Sequence, residues 1–267
     1  MSHLDSSDAY AAGSSKTRGG HRCRSWRLEV ARLQLWPEAP PPPPPLDLIH
    51  GWVHRGNERM LRRLLEERQP RCVVELGSWC GLCTTLLCEA APRLAVFAVD
   101  LWDAPHLLAT PSQREQYTCD AQAMAILQAG ELHAAFLHNL WPHRTRVFPL
   151  RMPTGDGLAA IARLGAPVDL IYVDADHTYA AVLADLRASA RLFPDALLCG
   201  DDWCWADVQL AVADFAHERG LRVVSHPREN WWWLRHPREE AVVVWEGEDG
   251  AGARGAAAND GREGWDA

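Results

Sequence analysis

The chain has 267 residues, of which 48% are hydrophobic and 13 are tryptophans, which is enough for a sizeable core. Its net charge of −8 argues against a nucleic-acid-binding protein, and its single lysine, Lys16, excludes a Walker A phosphate-binding loop. The N-terminus lacks a secretory signal and no apolar run reaches membrane-spanning length, so we expect a cytoplasmic protein without a membrane span.

The two ends of the chain have the composition of disordered regions. Residues 1–45 are rich in small and polar residues and end in a proline run, 40–45, that is typical of an extended spacer. Residues 247–267 are rich in Gly, Ala, Asp and Glu. We therefore predict two disordered ends and one folded domain over residues 46–246.

Within the N-terminal region, residues 21–36 place Trp26, Val30 and Leu33 at helical spacing among several arginines. This pattern fits a basic amphipathic helix that binds a membrane surface or a partner. It also fits a helix that packs on its own domain, and we favour this second interpretation.

From residue 46 onward, apolar segments of strand length alternate with segments of helical periodicity. This alternation predicts an α/β protein with a doubly wound, mostly parallel sheet, and the last β-prone segments predict an antiparallel edge. The predicted helices cover residues 58–67, 81–91, 112–141, 156–164, 178–192 and 205–219. The predicted strands cover residues 72–76, 94–100, 146–151, 168–174, 196–200, 221–226, 230–235 and 241–246.

The stretch from Cys72 to Cys83, CVVELGSWCGLC, predicts a buried strand, a glycine turn and the start of a helix. Such a unit binds nucleotides, because glycine lets a ligand approach the backbone and the helix N-terminus offers free N–H groups. Three ligands compete for this turn. The dinucleotide fingerprint G-x-G-x-x-G is absent, and the W-C-G-x-C pattern with Cys80 fits a thioredoxin-like redox site. The spacing of Glu75, Gly77 and Gly81 fits the pattern E-x-G-x-x-x-G of an S-adenosylmethionine (SAM) loop.

Asp100 ends the second predicted strand, 23 positions after Gly77. In doubly wound folds an acidic residue at about this distance accepts hydrogen bonds from ribose hydroxyls. The same aspartate can instead cap the loop at the end of its strand, and we favour the ribose role. Trp102 would then flank an adenine ring, unless it belongs to the core.

Two later strands end in acidic residues. Asp174, Asp176 and His177 follow one buried strand, and Asp201 and Asp202 follow the next. Neighbouring strand ends of a parallel sheet lie close together, so Asp174, Asp201 and Asp202 can converge on one cation such as Mg²⁺. The aspartates can alternatively cap the helices that follow. Asp176 and His177 are the candidate general bases.

These motifs together resemble the class I SAM-dependent methyltransferases that act on small molecules, over roughly residues 46–237. The resemblance rests on D-x-D-H-x-Y, on the G-D-D strand end and on the glycine turn. It implies a seven-stranded sheet with the last strand antiparallel. It also implies a SAM site whose predicted residues are Glu75, Gly77, Ser78, Gly81, Asp100, Trp102, Asp174 and either Thr154 or Asp156 near the adenine.

The resemblance also bears on the metal and the base. In related metal-dependent O-methyltransferases, the positions of Asp174, Asp201 and Asp202 bind Mg²⁺. Catechol-type members have an Asp-Asn pair and a lysine at the position of His177. The Asp-Asp pair here is more similar to sugar O-methyltransferases, in which the position of Asp176 is the base. The choice of base and the need for a metal stay open.

We therefore expect an enzyme that uses SAM to methylate a hydroxyl of a small metabolite or sugar, with Mg²⁺ assistance left open. A small-molecule acceptor is the expected partner, nucleic acid is not expected, and a homo-oligomer is left open. Two alternatives remain. One is a thioredoxin-like protein that cycles Cys80 and Cys83 between dithiol and disulfide, and the other is a non-catalytic module that binds SAM or a partner.

Overall fold

The computed structural model describes residues 26–44, 49–109, 114, 117–226 and 228–236. The β-prone segment predicted at 241–246 and the tail predicted at 247–267 lie outside the described residues. The same holds for most of the predicted N-terminal region, and the domain boundaries at residues 46 and 246 stay predictions.

A seven-stranded sheet forms the centre of the molecule, in the order β3-β2-β1-β4-β5-β7-β6. Strands β1 to β5 pair in parallel, whereas β7 is antiparallel to both β5 and β6. The prediction of a doubly wound, mostly parallel α/β sheet with an antiparallel edge is thus confirmed. The strands are β1 Cys72–Leu76, β2 Ala95–Asp100, β3 Val147–Arg151, β4 Leu170–Val173, β5 Leu197–Gly200, β6 Arg222–His226 and β7 Trp231–Arg235.

Helices cover both faces of the sheet because the strands are apolar on both faces; all five residues of β1, for example, are buried. Helices α1 to α5 pack on one face and α6 to α8 on the other. The helices are α1 Arg55–Arg68, α2 Leu82–Ala90, α3 Ala104–Ala109, α4 Ala121–Ala129, α5 Leu132–Asn139, α6 Thr154–Leu164, α7 Tyr179–Leu192 and α8 Ala206–Arg219. In the part of the chain described here, none of them is long and apolar enough to cross a membrane.

The described part of the N-terminal region lies against this domain. Residues 26–31 are helical, and the Trp26 ring is 1% exposed, with its centroid 5.6 Å from that of Phe97 and 5.7 Å from that of Phe148. The Trp36 indole N–H donates a hydrogen bond to the Val147 carbonyl at 2.9 Å. Of the two interpretations of this segment, packing on its own domain is the one that the structure shows.

The strand order reverses between β1 and β4, so two loops leave the carboxyl edge of the sheet side by side there. The register pairs Leu76 with Val173, the last residues of the two strands. Asp174 continues the pairing, since its N–H donates to the Leu76 carbonyl at 2.8 Å. In open α/β sheets, ligands bind in the crevice at this point of reversal.

Candidate active site

The turn after β1 requires glycine at two positions. Gly77 and Gly81 have φ angles of +84° and +89°, in the left-handed region. A Cβ on Gly77 would lie 1.9 Å from the Asp174 carbonyl oxygen, and one on Gly81 would lie 2.1 Å from Cδ2 of Leu140. The turn therefore passes tightly between the β4 loop and α5. No side chain caps the N-terminus of α2 at Gly81, which leaves the helix end open to a ligand.

Glu75 lies directly beneath this turn and is fully buried. Its Oε2 accepts hydrogen bonds from the Ser78 hydroxyl at 2.7 Å and from the Thr84 hydroxyl. Burial raises the pKa of Glu75 to about 7, although the hydroxyl hydrogen bonds oppose this shift. The buried hydrogen bond from Ser78 to Glu75 thus holds the turn on its inner side.

Asp100, at the end of β2, binds the backbone of the same turn. Its Oδ2 accepts the N–H groups of Ser78 and Trp79, each at 2.9 Å, and its Oδ1 accepts the N–H of Trp102 at 2.7 Å. Burial raises the pKa of Asp100, and these backbone hydrogen bonds oppose the rise. The capping role is therefore present. A carboxylate oxygen can accept more than one hydrogen bond, so the ribose role stays compatible with this geometry and remains a prediction.

Trp102 lies in the core rather than on an open adenine site. Its side chain packs on Phe136 and His133, with ring centroids 4.6 and 4.8 Å away, and it is 2% exposed. Its indole N–H donates to the Trp79 carbonyl at 2.7 Å. The core placement that the sequence left open is thus the one present, and contact with adenine would require the ring to move.

The two residues expected near the adenine lie at the start of α6. The Thr154 hydroxyl donates to Asp185 of α7 at 2.6 Å, so it links these two helices. Asp156 is exposed in the first turn of α6. Neither position is brought into contact with the glycine turn by any hydrogen bond among the described residues, and both adenine roles stay predictions.

Asp174, His177 and Asp202 converge where β4 and β5 end. Each offers one ligand atom, and these three atoms all lie within 4.8 Å of one another. His177 Nε2 is 2.7 Å from Oδ2 of Asp202. Burial and the charges of the neighbouring carboxylates raise the pKa of Asp174. Burial alone would lower the pKa of His177, but the hydrogen bond and charge of Asp202 outweigh it, so the pKa is raised.

Asp201, the third predicted metal ligand, points into a buried polar network instead. Its Oδ1 accepts the Asn230 amide at 3.0 Å and the Asp202 N–H at 2.7 Å, and its Oδ2 accepts the Tyr172 hydroxyl at 3.3 Å. Burial and the charge of Asp202 raise the pKa of Asp201 to about 7. Sequence reasoning missed Asn230, because it precedes the last strand and stands in no motif.

Asp176 faces the next helix. Its Oδ1 accepts the Thr178 N–H at 2.8 Å, immediately before α7 begins. This bond lies in the turn before α7 and does not cap the helix, since Thr178 is itself the N-cap residue and no side chain caps α7. The second carboxylate oxygen can still accept a proton, and the role of Asp176 as a base stays a prediction.

An aromatic cluster that the motifs did not reveal overhangs the glycine turn. Trp79 stacks on Tyr117, with ring planes 6° apart and centroids separated by 5.3 Å, and Trp52 lies against both rings. The Trp79 indole donates to His50 at 2.9 Å. Burial and the charge of Asp100 raise the pKa of Tyr117.

The two cysteines of the turn are buried free thiols. Burial and the charge of Asp100 raise the pKa of Cys80 to about 12, and burial also raises that of Cys83. A redox-active thiol at a helix N-terminus has instead a lowered pKa. The thioredoxin-like alternative therefore loses its chemical basis in this structure.

The sheet order, the tight glycine turn with an open helix end, and the acidic end of β2 define a class I SAM-dependent methyltransferase. These residues fit SAM, because no side chain caps the N-terminus of α2 and Asp100 retains acceptor capacity for ribose hydroxyls. Residues 74–203 match the family model described as a methyltransferase domain.

Two solved structures are similar to this chain at low sequence identity. A putative caffeoyl-CoA O-methyltransferase from Staphylococcus aureus is 10% identical with a TM-score of 0.48, over 69% of this chain and 85% of that one. An O-methyltransferase from Bacillus cereus in complex with SAH is 14% identical with a TM-score of 0.44, over 83% of this chain and 93% of that one. No curated protein gives a significant sequence match.

Proposed function

We propose that this methyltransferase transfers the methyl group of SAM to a hydroxyl group of a small molecule, a metabolite or a sugar, with assistance from a divalent cation. The observation that supports this proposal is the cluster of Asp174, His177 and Asp202 beside the cofactor turn. Asp174 links this cluster to the glycine turn. Its N–H donates to the Leu76 carbonyl at the end of β1, and its own carbonyl oxygen lies 1.9 Å from where a Cβ on Gly77 would be.

In this proposal the residues around the turn hold the cofactor. Gly77 and Gly81 let the turn pass tightly between the β4 loop and α5. The open end of α2 receives the carboxylate of the cofactor, and Asp100 accepts hydrogen bonds from the ribose. Glu75 and Ser78 keep the turn in shape from below. The sulfonium methyl group would then lie at the crevice between β1 and β4.

The acceptor hydroxyl would lie between the methyl group and the carboxylate cluster. Asp174 and Asp202 would hold the cation, which when bound lowers the pKa of a nearby hydroxyl. Asp176 or His177 would accept the hydroxyl proton as the oxygen attacks the methyl carbon and the sulfonium becomes a neutral thioether. The rest of the catalysis would be positioning, since attack and departure must be in line.

The acceptor is identified by incubating the full chain with SAM and a panel of hydroxylated metabolites and sugars, with Mg²⁺, Mn²⁺ or EDTA, and measuring SAH release. We expect acceptor-dependent SAH, with less of it in EDTA. SAM binding without transfer to any acceptor would favour the non-catalytic module instead. Full activity in EDTA would exclude the role of the cation but would leave the proposed methyl transfer standing.

A further inference from the structure

The ligand atoms at the ends of β4 and β5 are not all oxygens. His177 Nε2 shares the cluster with carboxylate oxygens of Asp174 and Asp202, and the side chains of His177 and Asp202 are 18% and 17% exposed. The Trp205 ring lies 5.2 Å from the imidazole and holds it from the side. Because His177 and Asp202 are partly exposed, an acceptor can reach the cluster from the solvent side. The three ligand atoms nevertheless lie within 4.8 Å of one another.

Asp201 is engaged elsewhere. Both of its carboxylate oxygens accept hydrogen bonds, from Asn230, Tyr172 and the backbone N–H of Asp202, and the residue is 5% exposed. The φ angle of Asp202 is +63°, so the chain turns sharply between the two aspartates and sends their side chains to different places. Turning Asp201 toward the cluster would break buried hydrogen bonds, which is costly.

We propose that Asp174, His177 and Asp202 are the metal ligands of this enzyme, and that Asp201 braces the β5 loop without touching the metal. This inference rests on the proposed function, in which a cation assists methyl transfer, and it names the ligands and the class of metal. The imidazole ligand suits a transition metal better than Mg²⁺, which prefers oxygen ligands alone, and Mn²⁺, which also accepts carboxylates, is the paramagnetic probe. His177 is then a ligand and not the base, so the base is Asp176.

Metal binding by the full chain tests this directly, without any acceptor. Calorimetry should show Mn²⁺ bound at least about tenfold more tightly than Mg²⁺. Pulsed electron paramagnetic resonance of bound Mn²⁺ should show coupling to an imidazole nitrogen, identified by ¹⁵N-labelled histidine. This spectrum needs no variant, so it decides the matter even if substitutions at the site impair folding.

Variants then assign the nitrogen. His177→Gln should abolish the coupling, weaken Mn²⁺ binding by at least about tenfold and erase the preference over Mg²⁺. His217→Gln, at an exposed histidine in the last turn of α8, should leave the coupling and the affinity unchanged. Asp201→Asn should keep the nitrogen coupling, since it removes a bracing residue only.

A wild-type spectrum without nitrogen coupling, or full Mn²⁺ affinity in His177→Gln, would overturn the assignment in favour of an all-oxygen set. A wild-type chain that binds neither metal would overturn it as well. Methyl transfer that persists in EDTA would leave the SAM-dependent function intact in that case, so the two failures are distinguishable.

Discussion

Glu75 carries an ionisable group in a place that disfavours its charge. Its pKa is about 7 in the folded chain against 4.5 in the unfolded one, mainly through burial. The folded state therefore holds a proton that the unfolded state releases, so this stabilising effect is complete below pH 4.5 and disappears as the pH rises through about 7. Between pH 5 and 8 the loss is about 2 kcal/mol.

Glu75→Gln should remove this part of the pH dependence, because a neutral amide does not titrate. Urea unfolding at pH 5 and pH 8 measures it: the free energy of unfolding should fall about 2 kcal/mol less in the variant than in the wild type. Glu66→Gln, an exposed site on α1, is the matched control and should behave as the wild type. Equal pH dependence in all three proteins would contradict the assignment.

Gly77 is constrained by both its conformation and its surroundings. Gly77→Ala would add the cost of a positive φ and force its Cβ against the Asp174 carbonyl, so we expect a loss of at least about 3 kcal/mol of stability. Gly165→Ala is the control, because its φ is +69° but nothing lies within 4 Å of the added Cβ, and it should cost only about 1 kcal/mol. Similar thermal unfolding of both variants would show that the close approach to Asp174 does not matter.

At the scale of elements, the turn between β1 and α2 uses its cysteines as small buried side chains. Replacing Cys80 and Cys83 together with Ala should keep SAM affinity within about threefold and preserve methyl transfer, at a stability cost of about 1 kcal/mol per site. Calorimetric SAM titration and SAH release measure the two properties. Loss of activity with intact SAM binding, together with rapid thiol alkylation of the wild type at neutral pH, would restore the redox function.

The antiparallel strand β7 braces the end of β5 through Asn230. This residue precedes β7 with φ of +59°, and its side chain bonds both Asp201 and the Cys204 N–H, at 3.0 and 2.8 Å. Asn230→Gly removes these bonds without backbone strain and should cost about 2 kcal/mol, whereas Asn230→Ala should cost about 1 kcal/mol more. Urea unfolding compares them, and a glycine variant as stable as the wild type would rule out the bracing role.

For the whole molecule, cofactor binding should appear as stability, because a ligand that binds only the folded state favours it. At a concentration of 100 times its Kd, SAH should add about 2.7 kcal/mol and raise the melting temperature by about 5–10 °C. NADH serves as the control in the same calorimetric scan, since the dinucleotide fingerprint is absent. A shift with NADH and none with SAH would reverse the assignment of the glycine turn.

Much of the fold could be read from local patterns. The apolar runs of β1 and β4 and the helical stripe of α1 specify their elements, and the glycine spacing specifies the turn, because each depends on residues close in sequence. The convergence of Asp174 with the β5 loop was also predictable, since parallel strands end at a common edge of the sheet. The positions of Tyr117 and Asn230 were not, because each contacts a residue that is distant in sequence, Trp79 in the first case and Asp201 in the second.

The sequence by itself determined the class of fold, the place of the cofactor turn and the strand ends that carry the acidic residues. Periodicity and glycine spacing encode these features within short windows. Tertiary structure decided which side chains are in contact. Asp201 accepts hydrogen bonds within a buried network, His177 contacts Asp202, and Trp102 and the cysteines of the turn are buried. Such choices depend on backbone turns and on burial, which arise only when distant segments pack together, so no local pattern records them.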